Sequence, residues 1–257
     1  GSARCTVRVS WSHVPYPAMV DPAWGTTGSM ATIRTRHAQV LLPGGRVLVS
    51  GGFDDTSIIT SAELYDAGTF AATGSMATPR LFHTLTPLSS GKILVVGGFA
   101  ATGGVVASAE VYSPVAGTFA PTGLMAVARE FHTASALASG KVLIAGGSDG
   151  IGSTHASAEL FDPAGSGGVG SFTATGSMAG ARNRHTASVL ASGKVLVVGG
   201  SKSVALSTVE VFDPATGTFT STGSMSTARD YHSASVLPSG RVLVAGGTND
   251  NGTTTLA

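Results

Sequence analysis

Charge is scarce in this chain. Asp, Glu, Lys and Arg make up 11% of its 257 residues, and 15 basic against 14 acidic side chains leave a net charge of +1. A nucleic-acid partner needs clustered Lys and Arg against its phosphates, so this balance argues against one. Low charge combined with 42% hydrophobic residues also argues against disorder. Cysteine occurs once, as Cys5, which rules out an intrachain disulfide and says little about compartment. No apolar run approaches the roughly 20 residues of a membrane-spanning helix, so no membrane span is expected. No stretch keeps an amphipathic helical period over a useful length. The chain opens Gly-Ser without Met, as after cleavage of a tag, so the lack of a leader is uninformative. The Ala/Gly/Ser/Thr-rich, Lys-poor composition is that expected of a secreted or cell-envelope bacterial protein.

What the chain does have is glycine, 36 residues of it, and a repeat. Gly-Gly pairs close apolar runs at Gly51-Gly52, Gly97-Gly98, Gly146-Gly147, Gly199-Gly200 and Gly246-Gly247, at spacings of 46, 49, 53 and 47. The units follow one order, with variations: His-Thr/Ser-Ala-Ser-x-Leu in the last three, then "GKVLVVGG" or a variant, then, up to the fourth unit, forms of "SAELYD" and "GTFxxTGSM". These are four short runs rich in Val, Ile, Leu, Thr and aromatics, parted by Gly, Ser and Asp-Pro turn signals, which is a strand pattern. Four strands at a period near ~50 is the pattern of a propeller blade.

The Gly-Gly pairs, the following Glu-x-Tyr/Phe (Glu63-Tyr65, Glu110-Tyr112, Glu159-Phe161, Glu210-Phe212) and a later aromatic resemble the kelch family, in particular bacterial kelch-like and galactose-oxidase-like propellers. Kelch repeats usually carry Trp at that last position. Here Phe70, Phe119, Phe172 and Phe219 stand there, with Trp24 at the matching N-terminal place. The resemblance implies an all-β fold: a five-bladed β-propeller of four-stranded blades over residues 1–257 as one domain. The blades are expected near 31–76, 77–125, 126–178, 179–225 and 226–257, with 5–30 completing the last. The alternative is a fragment of a longer array, since the chain stops where a strand should begin.

Arg-x-x-His heads every unit: Arg34-His37, Arg80-His83, Arg129-His132, Arg182-His185 and Arg229-His232. In a propeller the first strand of each blade is innermost, so five histidines are expected near one mouth of a central channel. Two readings compete. In the structural one each Arg pairs with the repeated Glu and each His bonds a neighbouring blade. In the functional one His37, His83, His132, His185 and His232 hold a divalent metal, zinc favoured, because three imidazoles around an open position make a catalytic zinc site. Arg34, Arg80, Arg129, Arg182 and Arg229 would then bind anions. The residues inside the unit differ from blade to blade: Thr35-Arg36, Leu81-Phe82, Glu130-Phe131, Asn183-Arg184 and Asp230-Tyr231. Phe82, Phe131 and Tyr231 could form an apolar wall, with Glu130 or Asp230 as general base and Tyr231 among the catalytic candidates.

Other chemistries are disfavoured. The copper-radical site of galactose-oxidase relatives needs a cross-linked Cys-Tyr pair, and Cys5 stands outside the repeats. No unit offers the paired carboxylates of a glycosidase beyond loop aspartates. "GGSDGIGS" contains the G-x-S-x-G spacing at Gly146–Gly150, but it precedes a strand rather than the helix of a nucleophile elbow or of a phosphate loop. The first expectation is therefore a metal-dependent hydrolase of small esters, lactones or phosphotriesters. The second is a non-catalytic module binding a protein or glycan at the channel mouth, and the third a plain structural repeat. A monomer is expected in each case.

Overall fold

The computed structural model describes residues 27–101, 103–249 and 254–256. The chain in these ranges is all β apart from one short turn of helix at Gly165–Gly168. Four complete four-stranded antiparallel sheets follow one another. The first runs Ala38–Leu41, Val47–Ser50, Ala62–Asp66 and Thr69–Ala72. The second runs Thr84–Pro87, Ile93–Val96, Ala109–Ser113 and Thr118–Pro121. The third runs Thr133–Ala136, Val142–Ala145, Ala158–Asp162 and Ser171–Ala174. The fourth runs Thr186–Val189, Val195–Val198, Val209–Asp213 and Thr218–Ser221. Of a fifth sheet the described residues supply Ser233–Val236 and Val242–Ala245. The expected closure by residues 5–30 falls almost wholly outside the described residues.

Each sheet is a meander of its four strands, with short first-to-second and third-to-fourth turns. A loop of about a dozen residues joins the second strand to the third, and in the second sheet it carries a small hairpin of its own, Phe99–Ala100 with Gly104–Val105. The first strands of successive sheets lie against one another, which puts them at the centre of the assembly. The second strands are the most apolar because both of their faces are covered: Ile93–Val96 and Val142–Ala145 are buried at every position. Their alternate side chains enter different cores. Leu94 and Val96 pack with Met125 against Val142, Ile144 and Phe161 of the third sheet. Ile93 packs with Tyr112 against Leu42, Leu48 and Ala62 of the first. The hydrophobic core is therefore a set of wedges between sheets, and each buried Val, Leu or Ile contributes about 1.5–3 kcal/mol.

Directly opposed aromatics clamp the third strand to the fourth: Tyr65 on Phe70, Tyr112 on Phe119, Phe161 on Phe172 and Phe212 on Phe219, with centroids 4.7–5.1 Å apart. This is the role of the Phe that stands in the usual Trp position. No helix among the described residues is long and apolar enough to cross a membrane.

Candidate functional site on the axial face

The Arg-x-x-His unit enters the first strand, and its parts go to different places. Arg34, Arg80, Arg129 and Arg182 are buried, the last three wholly covered. Their guanidinium groups turn inward and donate to the first glycine's carbonyl and to the carbonyl preceding the third strand. Arg80 donates to Gly97 O at 2.8 Å, Ser108 O at 2.9 Å and Ser108 Oγ at 2.8 Å. They also meet the repeated Glu: Arg34–Glu63 2.7 Å, Arg80–Glu110 3.2 Å, Arg129–Glu159 3.1 Å and Arg182–Glu210 2.6 Å. Each carboxylate in turn accepts backbone N–H bonds from the segment leading into its arginine, as Glu110 does from Ala77 and Thr78. Such a buried pair is tolerated because both charges find hydrogen-bonding partners. Arg229 donates to Gly246 O and has no carboxylate partner among the described residues. Anion binding by Arg80, Arg129 or Arg182 would require guanidinium groups that are covered and already committed.

The histidines bridge sheets. His83 Nε2 meets Ser50 Oγ at 3.1 Å, His132 meets Thr84 Oγ1 at 3.1 Å, His185 meets Thr133 Oγ1 at 2.9 Å, and His232 meets Thr186 Oγ1 at 2.9 Å. In every case the hydroxyl belongs to the preceding sheet. His37, in the first sheet, bonds Arg34 O through Nδ1 at 3.2 Å. Burial lowers the pKa of His83, His132 and His185 to about 3, and the adjacent Arg80, Arg129 and Arg182 charges push the same way. The Nδ1 atoms of His83 and His185 are buried without a hydrogen bond. Among the described residues, however, no three His, Cys, Asp or Glu side chains gather closely enough to share a metal ion. The five histidines do not fit a common metal centre in this geometry: each is spaced one sheet from the next, and His83, His132, His185 and His232 turn toward hydroxyls between sheets while His37 bonds a backbone carbonyl.

The Gly-Gly pair completes the joint. The second glycine's N–H donates to the next sheet's repeated arginine carbonyl, as Gly52 does to Arg80 O at 2.8 Å and Gly98 to Arg129 O at 2.8 Å. Both glycines have positive φ. The methionine of "TGSM" ("TGLM" in the second unit) fills the space beside the first glycine, so Met76, Met125 and Met178 are buried at the joint. That packing role was not read from the sequence, although the Met recurs at fixed spacing.

The two residues inside Arg-x-x-His are left to face the axis. The first makes an antiparallel bridge to the residue after Gly-Gly: Thr35 to Phe53, Leu81 to Phe99, Glu130 to Ser148, Asn183 to Ser201 and Asp230 to Thr248. The second is left-handed in all five repeats, with φ of 56° at Arg36, 57° at Phe82, 53° at Phe131, 54° at Arg184 and 52° at Tyr231. That conformation costs a non-glycine residue about 1–2 kcal/mol. It lets one residue reverse the chain from the bridge into the His-bearing strand. Successive members are tied through their backbones: Phe82 N–H to Arg36 O at 3.2 Å, Arg184 N–H to Phe131 O at 3.0 Å, and Tyr231 N–H to Arg184 O at 3.2 Å.

Their side chains form a stacked arc. The Arg36 guanidinium lies 5.4 Å from the Phe82 ring centre, and the Phe82 and Phe131 rings are 4.1 Å apart. The Arg184 guanidinium sits between Phe131, at 4.9 Å, and Tyr231, at 4.7 Å. These are cation–π distances. Neither Arg36 nor Arg184 has a carboxylate within ion-pair distance among the described residues. Phe82, Phe131 and Tyr231 thus do share one wall. Arg36 and Arg184, which occupy the same slot, complete it.

The two proposed bases differ. Glu130 is 8% exposed, its carboxylate makes no hydrogen bond among the described residues, and burial raises its pKa against the opposing pull of Arg184. Asp230 is fully buried and accepts a 2.7 Å hydrogen bond from Thr248 Oγ1.

The Kelch motif matches residues 182–226, the fourth sheet with its Arg-x-x-His lead-in. The fold matches the solved structure of YjhT with a TM-score of 0.72 over 87% of this chain and 80% of that one, at 11% identity. The chain is a kelch-type β-propeller. A second match is to a novel fungal alcohol oxidase of the AA5 family in complex with copper, with a TM-score of 0.56 and 20% identity. It spans 84% of this propeller and 59% of the oxidase chain. No curated protein matches the sequence. At these identities the likeness is one of fold, and the propeller's site must be argued from its own residues.

Proposed function

We propose that this propeller is a non-catalytic recognition module that binds a partner protein across its axial face. The observation that carries the reading is the arc Arg36–Phe82–Phe131–Arg184–Tyr231. Its backbone is held in a costly conformation in every repeat, while its side chains are bulky, aromatic or cationic where glycine would serve the turn. Tyr and Arg are among the side chains enriched at binding hot spots, and Tyr231 is 56% exposed. The two stacked arginines without carboxylate partners favour an acidic partner surface.

The metal-hydrolase reading has less support. It needs three of His37, His83, His132, His185 and His232 around one zinc ion, whereas the last four turn Nε2 to separate inter-sheet hydroxyls and His37 turns Nδ1 to the Arg34 carbonyl. Two measurements on the purified protein separate the readings. Elemental analysis is expected to find no stoichiometric transition metal. About one zinc per chain, lost in His83→Ala/His185→Ala together with ester hydrolysis, would restore the hydrolase. For binding, a partner captured by cross-linking is expected to bind an Arg36→Ala/Arg184→Ala/Tyr231→Ala variant about 30-fold more weakly or worse at unchanged melting temperature. Equal affinity would move the interface off this face.

A further inference from the structure

Beside the arc, the loops after the Gly-Gly pairs of the first two sheets flank an open depression of about 380 Å³. Its walls are Phe53, Ile58, Leu81, Phe82, Phe99 and Phe131. The charged residues lining it are Glu130 and Arg36. Glu130 is 8% exposed as a residue, though its carboxylate oxygens are not fully buried, whereas Arg36 is exposed and stacked on Phe82. Partial desolvation of a carboxylate among phenylalanines is costly, and the backbone bridge to Ser148 does nothing for its oxygens. The nearest compensation is Arg184, which acts at a distance and makes no ion pair with it within 4 Å. The slot itself does not require an acid, since Thr35, Leu81 and Asn183 make the same bridge in other sheets.

From this we infer that the depression is a specificity pocket for one extended basic side chain, lysine or arginine, of the partner protein. The apolar stem would lie along the phenylalanine walls and the cationic head would reach the Glu130 carboxylate. A long basic side chain is the occupant that uses every feature. Its methylenes replace water on the aromatic faces, and its charge supplies the hydrogen-bond donor that Glu130 lacks. The rings of Phe82 and Phe131 add cation–π attraction. A neutral apolar side chain would leave the carboxylate buried and unpaired, and an acidic one would be repelled. Arg36 stands at the mouth in water, where its own charge is screened, and it suits an acidic residue next to the basic one. The volume is at the lower end for ligand sites, in keeping with one side chain rather than a large molecule.

The inference rests on the partner-protein reading above, and short ligands separate the two. N-acetyl-lysine methylamide and its arginine counterpart cover the depression alone, so their binding and the capture of a whole partner can fail independently. NMR titration of the intact chain is expected to show at least one of them binding about tenfold tighter than N-acetyl-norleucine methylamide, and the glutamate counterpart not binding. Glu130→Gln is expected to bring the basic and norleucine analogues within about twofold of each other. The variant should also be as stable as the wild type or more so, because it removes a buried charge. Equal binding of lysine, arginine and norleucine analogues would overturn the inference. So would a preference that survives Glu130→Gln, or the absence of any shift from either basic analogue at the highest soluble concentration. A Glu130→Gln variant that lost stability would assign the carboxylate to the scaffold instead, as the counter-charge of Arg184.

Discussion

Arg36 shows what a single residue contributes at the axial face. It is exposed, left-handed, and touches little beyond the Phe82 ring and the backbone link to Phe82 N–H. Glycine at this position would relieve about 1–2 kcal/mol of backbone strain and give back about 0.5–1 kcal/mol in unfolded-state entropy. Arg36→Gly is therefore expected to leave stability unchanged or to raise it by about 1 kcal/mol in urea unfolding, while weakening partner binding. A clear loss of stability would mean that the side chain serves the fold. The variable pairs inside Arg-x-x-His were legible in the sequence as the place to look, and Phe82, Phe131 and Tyr231 were singled out there. Arg36 and Arg184 were not, because residues of opposite polarity are not read as one surface until the backbone stacks them. For the same reason Glu130 and Asp230 looked alike, although one lines an apolar depression and the other bonds Thr248.

The joint between sheets is an element-scale device, and Gly98 lies at its centre. A Cβ there would stand 2.6 Å from Leu81 O and 3.0 Å from His83 Cβ, at a φ of 93°. Gly91 also has positive φ, at 77°, but has open space around it. Gly98→Ala is expected to cost about 3 kcal/mol or more, and Gly91→Ala about 1 kcal/mol, measured by denaturant midpoints. Similar costs would show that conformation alone requires the glycine. The strand pattern and the turns of these elements could be read directly, because period, branching and glycine are local properties. The same local reading located the His at the head of the first strand but could not decide where its ring turns. That depends on Ser50, Thr84, Thr133 and Thr186, each of which the fold brings from the preceding sheet.

At the scale of the molecule, the buried histidines tie the assembly of sheets to pH. His83, His132 and His185 have folded-state pKa values of about 3, against about 6.5 unfolded. Below pH ~6.5 the unfolded chain takes up protons that the folded chain refuses, so stability falls as pH drops toward about 3. Within that window each histidine contributes about 1.4 kcal/mol per pH unit. Urea midpoints are expected to be flat above about pH 7 and to fall steeply by about pH 5, with a shallower fall in His132→Gln. Equal midpoints at about pH 5 and pH 8 would mean that these rings take up protons in the folded state.

The sequence alone determined the repeat, its all-β character and the four-strand kelch-type unit, because turn residues, strand propensity and a constant period act within some fifty residues. Tertiary structure decided which residues face one another across different repeats. It turned Arg80, Arg129 and Arg182 onto carboxylates, set the histidines one to a joint, and lined up Arg36, Phe82, Phe131, Arg184 and Tyr231. A repeated motif states that a position matters in every sheet. Whether its side chain points to the axis, to the neighbouring sheet or into the core is set by packing between units that are distant in sequence.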